Sequence, residues 1–379
     1  MLETKDQSKT QVLSWWPENP PIYDITKSYI ENAEEGPFFE KEIPDRILPP
    51  ESEWLEFLGH KIVAPLGVPA GPLLNSKWIG LASRLGFDVL CYKTIRSAEN
   101  SGHSLPNMIY IDCDNQLVPG KLPRELVTRS CLPKEMDQIA VTNSFGMPSR
   151  SAEYLSKDIS QANSMLAPGQ VMIVSVVGSF CDGTHQAFVQ DFVTVAIQAK
   201  EYGAKVIEVN YSCPNVSSGE GEIYTCPETV YDITRRVVKA INDTPLIIKV
   251  GTFTDPYLME KVLIAAAKAG ARGVCGINTI SMKVVDKNGR PALGENRLKS
   301  GICGYPIREA AINFTRNAHE INQKNQLGLT ILGTGGAVLS EHFTDFLDAG
   351  ADIAMAATGM LWNPYLAYNY HQKDQYEYS

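Results

Sequence analysis

The chain has 379 residues, 44% of them hydrophobic, and a formal charge of −9. That length suits one large α/β barrel with an extension, or two ordinary domains. The negative charge disfavours nucleic acid and anionic membrane surfaces as principal partners. The eight cysteines are scattered without a CxxC pair, and the six histidines are equally dispersed. No disulfide framework, iron–sulfur cluster or metal site is therefore expected, and the chemistry calls for an organic cofactor.

The N-terminus, MLETKDQSKTQ, is polar and lacks an apolar signal core. The longest apolar runs, Val171 to Val177 and Ile353 to Trp362, are too short to span a bilayer. A soluble, cytoplasmic protein with no membrane span is expected. Residues 1–55 stand apart, with Trp15, Trp16, several prolines and no helical periodicity before residues 22–32. They are expected to form an N-terminal extension that packs on a barrel domain of residues 56–379, with a subunit or partner contact as the alternative.

A rhythm of short apolar runs and helical stretches follows. The runs at Ile62 to Gly67, Val89 to Lys93, Ile139 to Thr142, Val171 to Val177, Val206 to Asn210, Leu246 to Val250, Gly273 to Asn278, Thr330 to Leu332 and Ile353 to Ala356 read as strands. Helical patterns fall at Gln186 to Tyr202, Pro227 to Ile241, Pro256 to Ala269, Pro306 to Gln323 and Ser340 to Ala349. The alternation predicts parallel strands with right-handed crossovers, an α/β fold of the (β/α)8 TIM-barrel type. Nine runs exceed eight strands. Ile139 to Thr142 is assigned outside the barrel, because the preceding stretch from Ser97 to Glu135 is proline-rich and reads as an inserted loop region at the C-terminal face.

Polar and glycine residues collect where the predicted strands end, which is where a barrel carries its chemistry. Lys249 closes the run Pro245-Leu-Ile-Ile-Lys-Val250, and a lysine in so apolar a strand needs an anionic partner. Beside a flavin pyrimidine ring its cation would stabilise the charge gained on reduction. The segment Glu208-Val-Asn-Tyr-Ser-Cys-Pro-Asn215 ends a strand with two amides around the lone thiol of Cys213. With Asn143, Asn210, Asn215 and Asn278, four amides are available to an imide ring bearing a carboxylate. Late in the chain, Ile331-Leu-Gly-Thr-Gly-Gly-Ala337 and the stretch ending Ala-Ala-Thr-Gly359 place glycine turns after the last two strands. Such turns let backbone N–H groups converge on a phosphate.

Taken together, the motifs Pro69-Ala-Gly-Pro72 with Asn75, Tyr92-Lys-Thr94, Asn143-Ser-Phe-Gly-Met-Pro148, Val174-Ser-Val-Val-Gly178, Asn210-Tyr-Ser-Cys-Pro-Asn215, Ile248-Lys249, Ile277-Asn-Thr279, Gly301-Ile-Cys-Gly304 and Gly333-Thr-Gly-Gly336 resemble the dihydroorotate dehydrogenase family of flavoproteins. The resemblance runs from about Ile62 to Trp362. It implies an FMN-containing (β/α)8 barrel that oxidises dihydroorotate to orotate in pyrimidine synthesis. The Asn-x-Ser-Cys-Pro-Asn loop is similar to the soluble class, whose base is a cysteine, so Cys213 would take the C5 proton while a hydride leaves C6 for flavin N5. The resemblance further implies that Lys93, Asn143, Asn210, Asn215, Asn278 and Thr279 hold the substrate, with Phe145, Gly146 and Met147 beside it. FMN would be held by Ala70, Gly71, Lys93, Thr94, Ser175, Asn210, Lys249, Gly301, Gly335, Gly336 and Thr358.

Two departures add side chains where the family's backbone approaches FMN: Ser300 stands for a glycine, and so does Ala357. The loop from Val284 to Ser300 is polar and is expected at the mouth, either as a mobile lid or as a solvated polar loop. Two other readings remain open, a related FMN barrel acting on another dihydropyrimidine or cyclic amide, and a non-catalytic barrel that binds a partner. The electron acceptor is also open between fumarate, a quinone, and NAD through an electron-transfer subunit. A homodimer is implied by the resemblance alone.

Overall fold

In the computed structural model, which describes residues 12–180, 184–212 and 222–377 with side chains as far as 372, eight of the apolar runs form short parallel strands. These are β1 (Leu66–Val68), β2 (Val89–Ile95), β3 (Val171–Val176), β4 (Val206–Asn210), β5 (Leu246–Lys249), β6 (Gly273–Gly276), β7 (Thr330–Thr334) and β8 (Ile353–Met355). Each pairs with the next, and β8 pairs with β1, so the sheet closes into a barrel. Strands buried on both faces read as continuous Val/Ile/Leu runs, which is why these segments were conspicuous in the sequence.

Five crossover helices lie within two residues of expectation: His185–Glu201, Pro227–Ile241, Pro256–Ala269, Arg308–Asn325 and Glu341–Asp348. Proline at the first helical position starts the second and third, and the Asp255 side chain caps the third through Tyr257 N at 2.9 Å. Helices Ser76–Arg84, Ala152–Ser164 and Leu366–Glu377 had no counterpart in the sequence reading. The second buries only Leu155, Ile159 and Ala162 among its apolar residues, a stripe too sparse to stand out.

The run from Ile62 to Gly67 is not one strand. Its first part belongs to a hairpin, Leu55–Phe57 with His60–Ile62, turned at Leu58 and Gly59 with positive φ. The hairpin places Phe57 and Ile62 in the same apolar cluster as Val89, Val171, Val206 and Ile353, and so it contributes to the packing of the barrel interior.

Ile139 to Thr142 does lie outside the barrel, as Ala140–Asn143. The region from Ser97 to Glu135 is more than loop, however. It supplies Met108–Asp112 and Leu126–Thr128, which join Ala140–Asn143, Ile280–Val285 and Lys299–Gly304 in a second, closed five-stranded sheet. The segment expected as a lid is thus the connection of a hairpin whose two arms are paired strands. Lys283 pairs with Glu125 at 2.8 Å, and Arg297 donates to Pro106 O at 2.8 Å. These pairings are non-local, and short mixed strands such as Lys299–Gly304 carry no clear period.

The N-terminal segment docks on its own chain. Trp15 stacks on Phe39 with centroids 5.0 Å apart, Leu13 exchanges bonds with the Asn369 side chain, and Arg46 makes a forked pair with fully buried Asp88 at 2.7 and 2.9 Å. Close to that pair, His371 contacts Gly86 O through Nε2 at 2.8 Å. Burial first, and the Arg46 cation second, hold the His371 imidazole down at about 3. Since the folded pKa lies below the ordinary value of 6.5, the unfolded chain binds more protons between those values, and stability from this group is complete above pH 6.5 and declines as pH falls. Denaturant unfolding should therefore show a difference between wild type and His371→Gln that is constant above that pH and moves against the wild type below it. A difference that stays flat down to pH 4.5 would contradict this origin.

Candidate functional site

The C-terminal ends of the barrel strands open into a cleft of about 1050 Å³, its mouth included, a size that takes a cofactor with a small substrate. Its floor and walls come from the β1 turn (Pro69 to Pro72), the end of β2 (Lys93, Thr94), Asn210 of β4, Lys249 of β5, the segment after β6 (Asn278, Thr279) and the turns after β7 and β8 (Gly335, Gly336, Ala357, Thr358). The small sheet closes the opposite side with Met108, Val141, Asn143 and Cys303.

Lys249 is 2% exposed at the cleft floor, and its Nζ donates to Ala70 O at 3.3 Å. Asn210 is its register partner on β4, and Glu208 lies two residues earlier on the same face of that strand. Glu208 is 1% exposed, and its carboxylate lies 3.9 Å from the Cys91 thiol. Desolvation pulls the Lys249 pKa down, but the negative field of Glu208 outweighs it and leaves the lysine above its ordinary value. The ammonium therefore stays charged in a dry place because a carboxylate is built in beneath it. Burial and the same carboxylate push both thiols well above the usual cysteine range.

Residues 144–147 form a fixed shelf. The carbonyl of Ser144 accepts from Asn107 and Arg297, that of Phe145 from His103 N at 2.8 Å, and those of Gly146 and Met147 from the Asn100 amide at 2.9 Å each. Gly146 and Met147 both have positive φ, 70° and 53°. A side chain on Gly146 would run into the His103 ring, which makes glycine necessary there. Asn143, at the head of the shelf, donates to Cys303 Sγ at 3.0 Å. Asn278 donates to Ser212 O, and Asn210 accepts from Ser212 N at 3.0 Å.

Most of the residues nominated from the sequence meet here. Ala70, Gly71, Lys93, Thr94, Asn143, Phe145, Gly146, Met147, Asn210, Lys249, Asn278, Thr279, Gly335, Gly336 and Thr358 all line the cleft. Ser175 and Gly301 do not. Ser175 is fully buried and accepts from Thr94 Oγ1 at 3.0 Å, so it braces a lining residue. Gly301 lies in a strand beside Thr279, whose hydroxyl an added Cβ would strike. Cys213 and Asn215 lie outside the described residues. Ser300 turns away from the cleft, its hydroxyl 2.6 Å from Thr142 Oγ1 inside the small sheet, whereas Ala357 does line the wall. Tyr23, Cys303, Ile307 and Leu361 also line it without having been nominated. Cys303 sat inside a recognised motif, but Tyr23 carried no local signal.

Among the described residues there is no cluster of metal-ligating side chains and no helix long and apolar enough to cross a membrane. Fold and cleft together define a (β/α)8 barrel with a candidate site at its C-terminal rim. Residues 132–372 match the family model for dihydroorotate dehydrogenase. The chain is 49% identical over 368 residues to a dihydroorotate dehydrogenase of Dictyostelium discoideum, covering 95% of this chain and 99% of that one. It is 32% identical over 202 residues to the catalytic subunit of dihydroorotate dehydrogenase B (NAD(+)) of Shouchella clausii, covering 52% and 60% of the two chains. It is 30% identical over 198 residues to dihydroorotate dehydrogenase A (fumarate) of Limosilactobacillus reuteri, covering 52% and 59%. The chain belongs to the dihydroorotate dehydrogenase family.

The Cys303 thiol on the cleft wall has a defined reactivity. Burial pushes Cys303 up to about 12, against the smaller lowering effects of Asn143 and Lys249, whereas Cys131 is exposed. Brief alkylation of the native protein at pH 8 with peptide mapping should modify Cys131 and leave Cys303, Cys91 and Cys275 intact, because the thiolate is the nucleophile. Modification of Cys303 as fast as Cys131 would contradict a neutral thiol at Cys303.

Proposed function

We propose that this protein is an FMN-dependent dehydrogenase that oxidises dihydroorotate to orotate in pyrimidine biosynthesis. The observation that carries this reading is Lys249, a buried cation with its own built-in carboxylate, on the floor of a cleft that also gathers Asn143, Asn210 and Asn278. Such a cation suits the electron-rich edge of a reduced flavin. Neutral amides that both donate and accept suit the imide of the substrate.

The residues present fit FMN. Lys249 would hold the pyrimidine edge of the ring, with Ala70, Gly71, Lys93 and Thr94 alongside. Gly335 and Gly336, with φ of 131° and 76°, and Thr358 would hold the phosphate. A Cβ on Gly336 would strike Arg308, so this turn admits a ligand close to backbone only as glycine. Bound FMN supplies the hydride acceptor for C6 of the substrate.

The chain supplies the rest. Asn143, Asn210, Asn215, Asn278 and Thr279 would orient the dihydropyrimidine, the shelf from Phe145 to Met147 would offer backbone donors, and the Lys93 ammonium would balance the substrate's negative charge. Cys213 would take the proton from C5 as a thiolate, the role the family's loop assigns to its cysteine. A free thiol ionises near 8.5, so roughly a few per cent is thiolate at neutral pH. Flavin reduction should therefore speed up as pH rises from about 6 to 9.

Anaerobic mixing of the yellow holoprotein with dihydroorotate tests this directly. Wild type should bleach, Cys213→Ala should slow by orders of magnitude, and Cys213→Ser should also slow. Undiminished reduction in Cys213→Ala would remove the cysteine base, and bleaching by an uncharged dihydropyrimidine but not by dihydroorotate would move the substrate class.

A further inference from the structure

Tyr23 reaches the cleft from the N-terminal segment, not from a barrel loop, and it lies outside the stretch that matches the family model. The backbone on either side of it is fastened. Ile22 N donates to Leu361 O at 2.9 Å, Ile22 O accepts from Phe38 N at 3.0 Å, and Asp24 N donates to the Asn32 side chain at 2.8 Å. Asn32 returns a bond to Asp24 O at 2.9 Å and sits in a short helix whose start carries a full capping box from Ser28 and Glu31. The helix is tied to the barrel in turn, since Asn75 donates to Ala33 O at 2.6 Å and the Trp78 indole donates to Asn32 O at 3.3 Å.

The Tyr23 ring is set against Trp78 and Phe145, with centroids 6.1 Å away in each case and the Phe145 contact nearly perpendicular at 85°. Phe145 belongs to the fixed shelf, so Tyr23 stands beside the place assigned to the substrate. The residue is 2% exposed, yet its phenolic oxygen has no hydrogen-bond partner among the described residues. Burial, and then the neighbouring Tyr29 and Asp24, raise its pKa, so it remains a neutral O–H donor. A buried hydroxyl without a partner costs free energy that phenylalanine would avoid. A ligand acceptor supplied on binding would remove that cost.

We propose that Tyr23 is a substrate-binding residue, its hydroxyl donating a hydrogen bond to an oxygen of the pyrimidine carboxylate seated on the 143–147 shelf. The N-terminal segment then completes the site as well as docking on the barrel. This rests on the substrate reading given above, which the controls test separately.

The experiment compares wild type with Tyr23→Phe, which keeps the ring and its packing and removes only the hydroxyl. Orotate affinity is measured on the holoprotein by the change in flavin absorbance, and FMN affinity on the apoprotein by flavin fluorescence. Orotate should bind roughly ten-fold or more weakly to Tyr23→Phe, as expected for a lost buried bond to a charged group, with FMN affinity unchanged. Equal orotate affinity in the two proteins would overturn the inference while leaving the substrate reading intact, and would assign the hydroxyl to a buried water. Weakened FMN binding with unchanged orotate binding would also overturn it. A wild-type holoprotein that does not bind orotate would overturn both.

Discussion

A lysine ammonium sealed inside the barrel is the constraint on which the rest of the site depends. Lys249 remains charged there, despite burial, because β4 places Glu208 near it. The closed parallel sheet makes this possible. Strand register puts Lys249 level with Asn210 at the rim, and the two-residue period sends Glu208 to the same side, lower in the barrel. The thiols of Cys91 and Cys275 occupy the remaining space around that carboxylate, held neutral by burial and by the carboxylate itself. The result is a cation facing the cleft whose charge does not depend on solvent.

Around that floor, three separate parts of the chain build the walls. The barrel gives Lys93 from β2, Asn278 from the segment after β6 and the glycine turn after β7. The five-stranded sheet gives Asn143 and Cys303 and backs the shelf, whose carbonyls are tied off by Asn100, His103, Asn107 and Arg297. The N-terminal segment gives Tyr23. Because the shelf is braced from behind, it is pre-formed, which reduces the ordering cost of binding.

The barrel was legible because its strands are buried on both faces and therefore announce themselves as apolar runs. Lys249 was legible for the same reason, as a charge at the end of Leu-Ile-Ile. Glycines at Gly335 and Gly336 could be read as a turn, and the structure shows why no side chain fits: Ala311 crowds the first and Arg308 the second. What could not be read was pairing over long distance. Leu126–Thr128 meets Val284 and Val285, more than 150 residues later, through a parallel contact that no local period encodes. Tyr23 was hidden likewise, since its place in the cleft depends on long-range contacts such as the backbone bond from Ile22 N to Leu361 O. Ser300 does not line the cleft, since its hydroxyl bonds to Thr142 inside the small sheet, a pairing that the sequence does not encode locally.

The most direct test of this account is a crystal structure of the protein grown with FMN and orotate. The account predicts a flavin ring with its pyrimidine edge within hydrogen-bond reach of Lys249 Nζ, its phosphate at Gly335 and Gly336, and orotate between Asn143 and Asn278. A flavin bound with Lys249 remote from the ring, or orotate bound away from the 143–147 shelf, would contradict it.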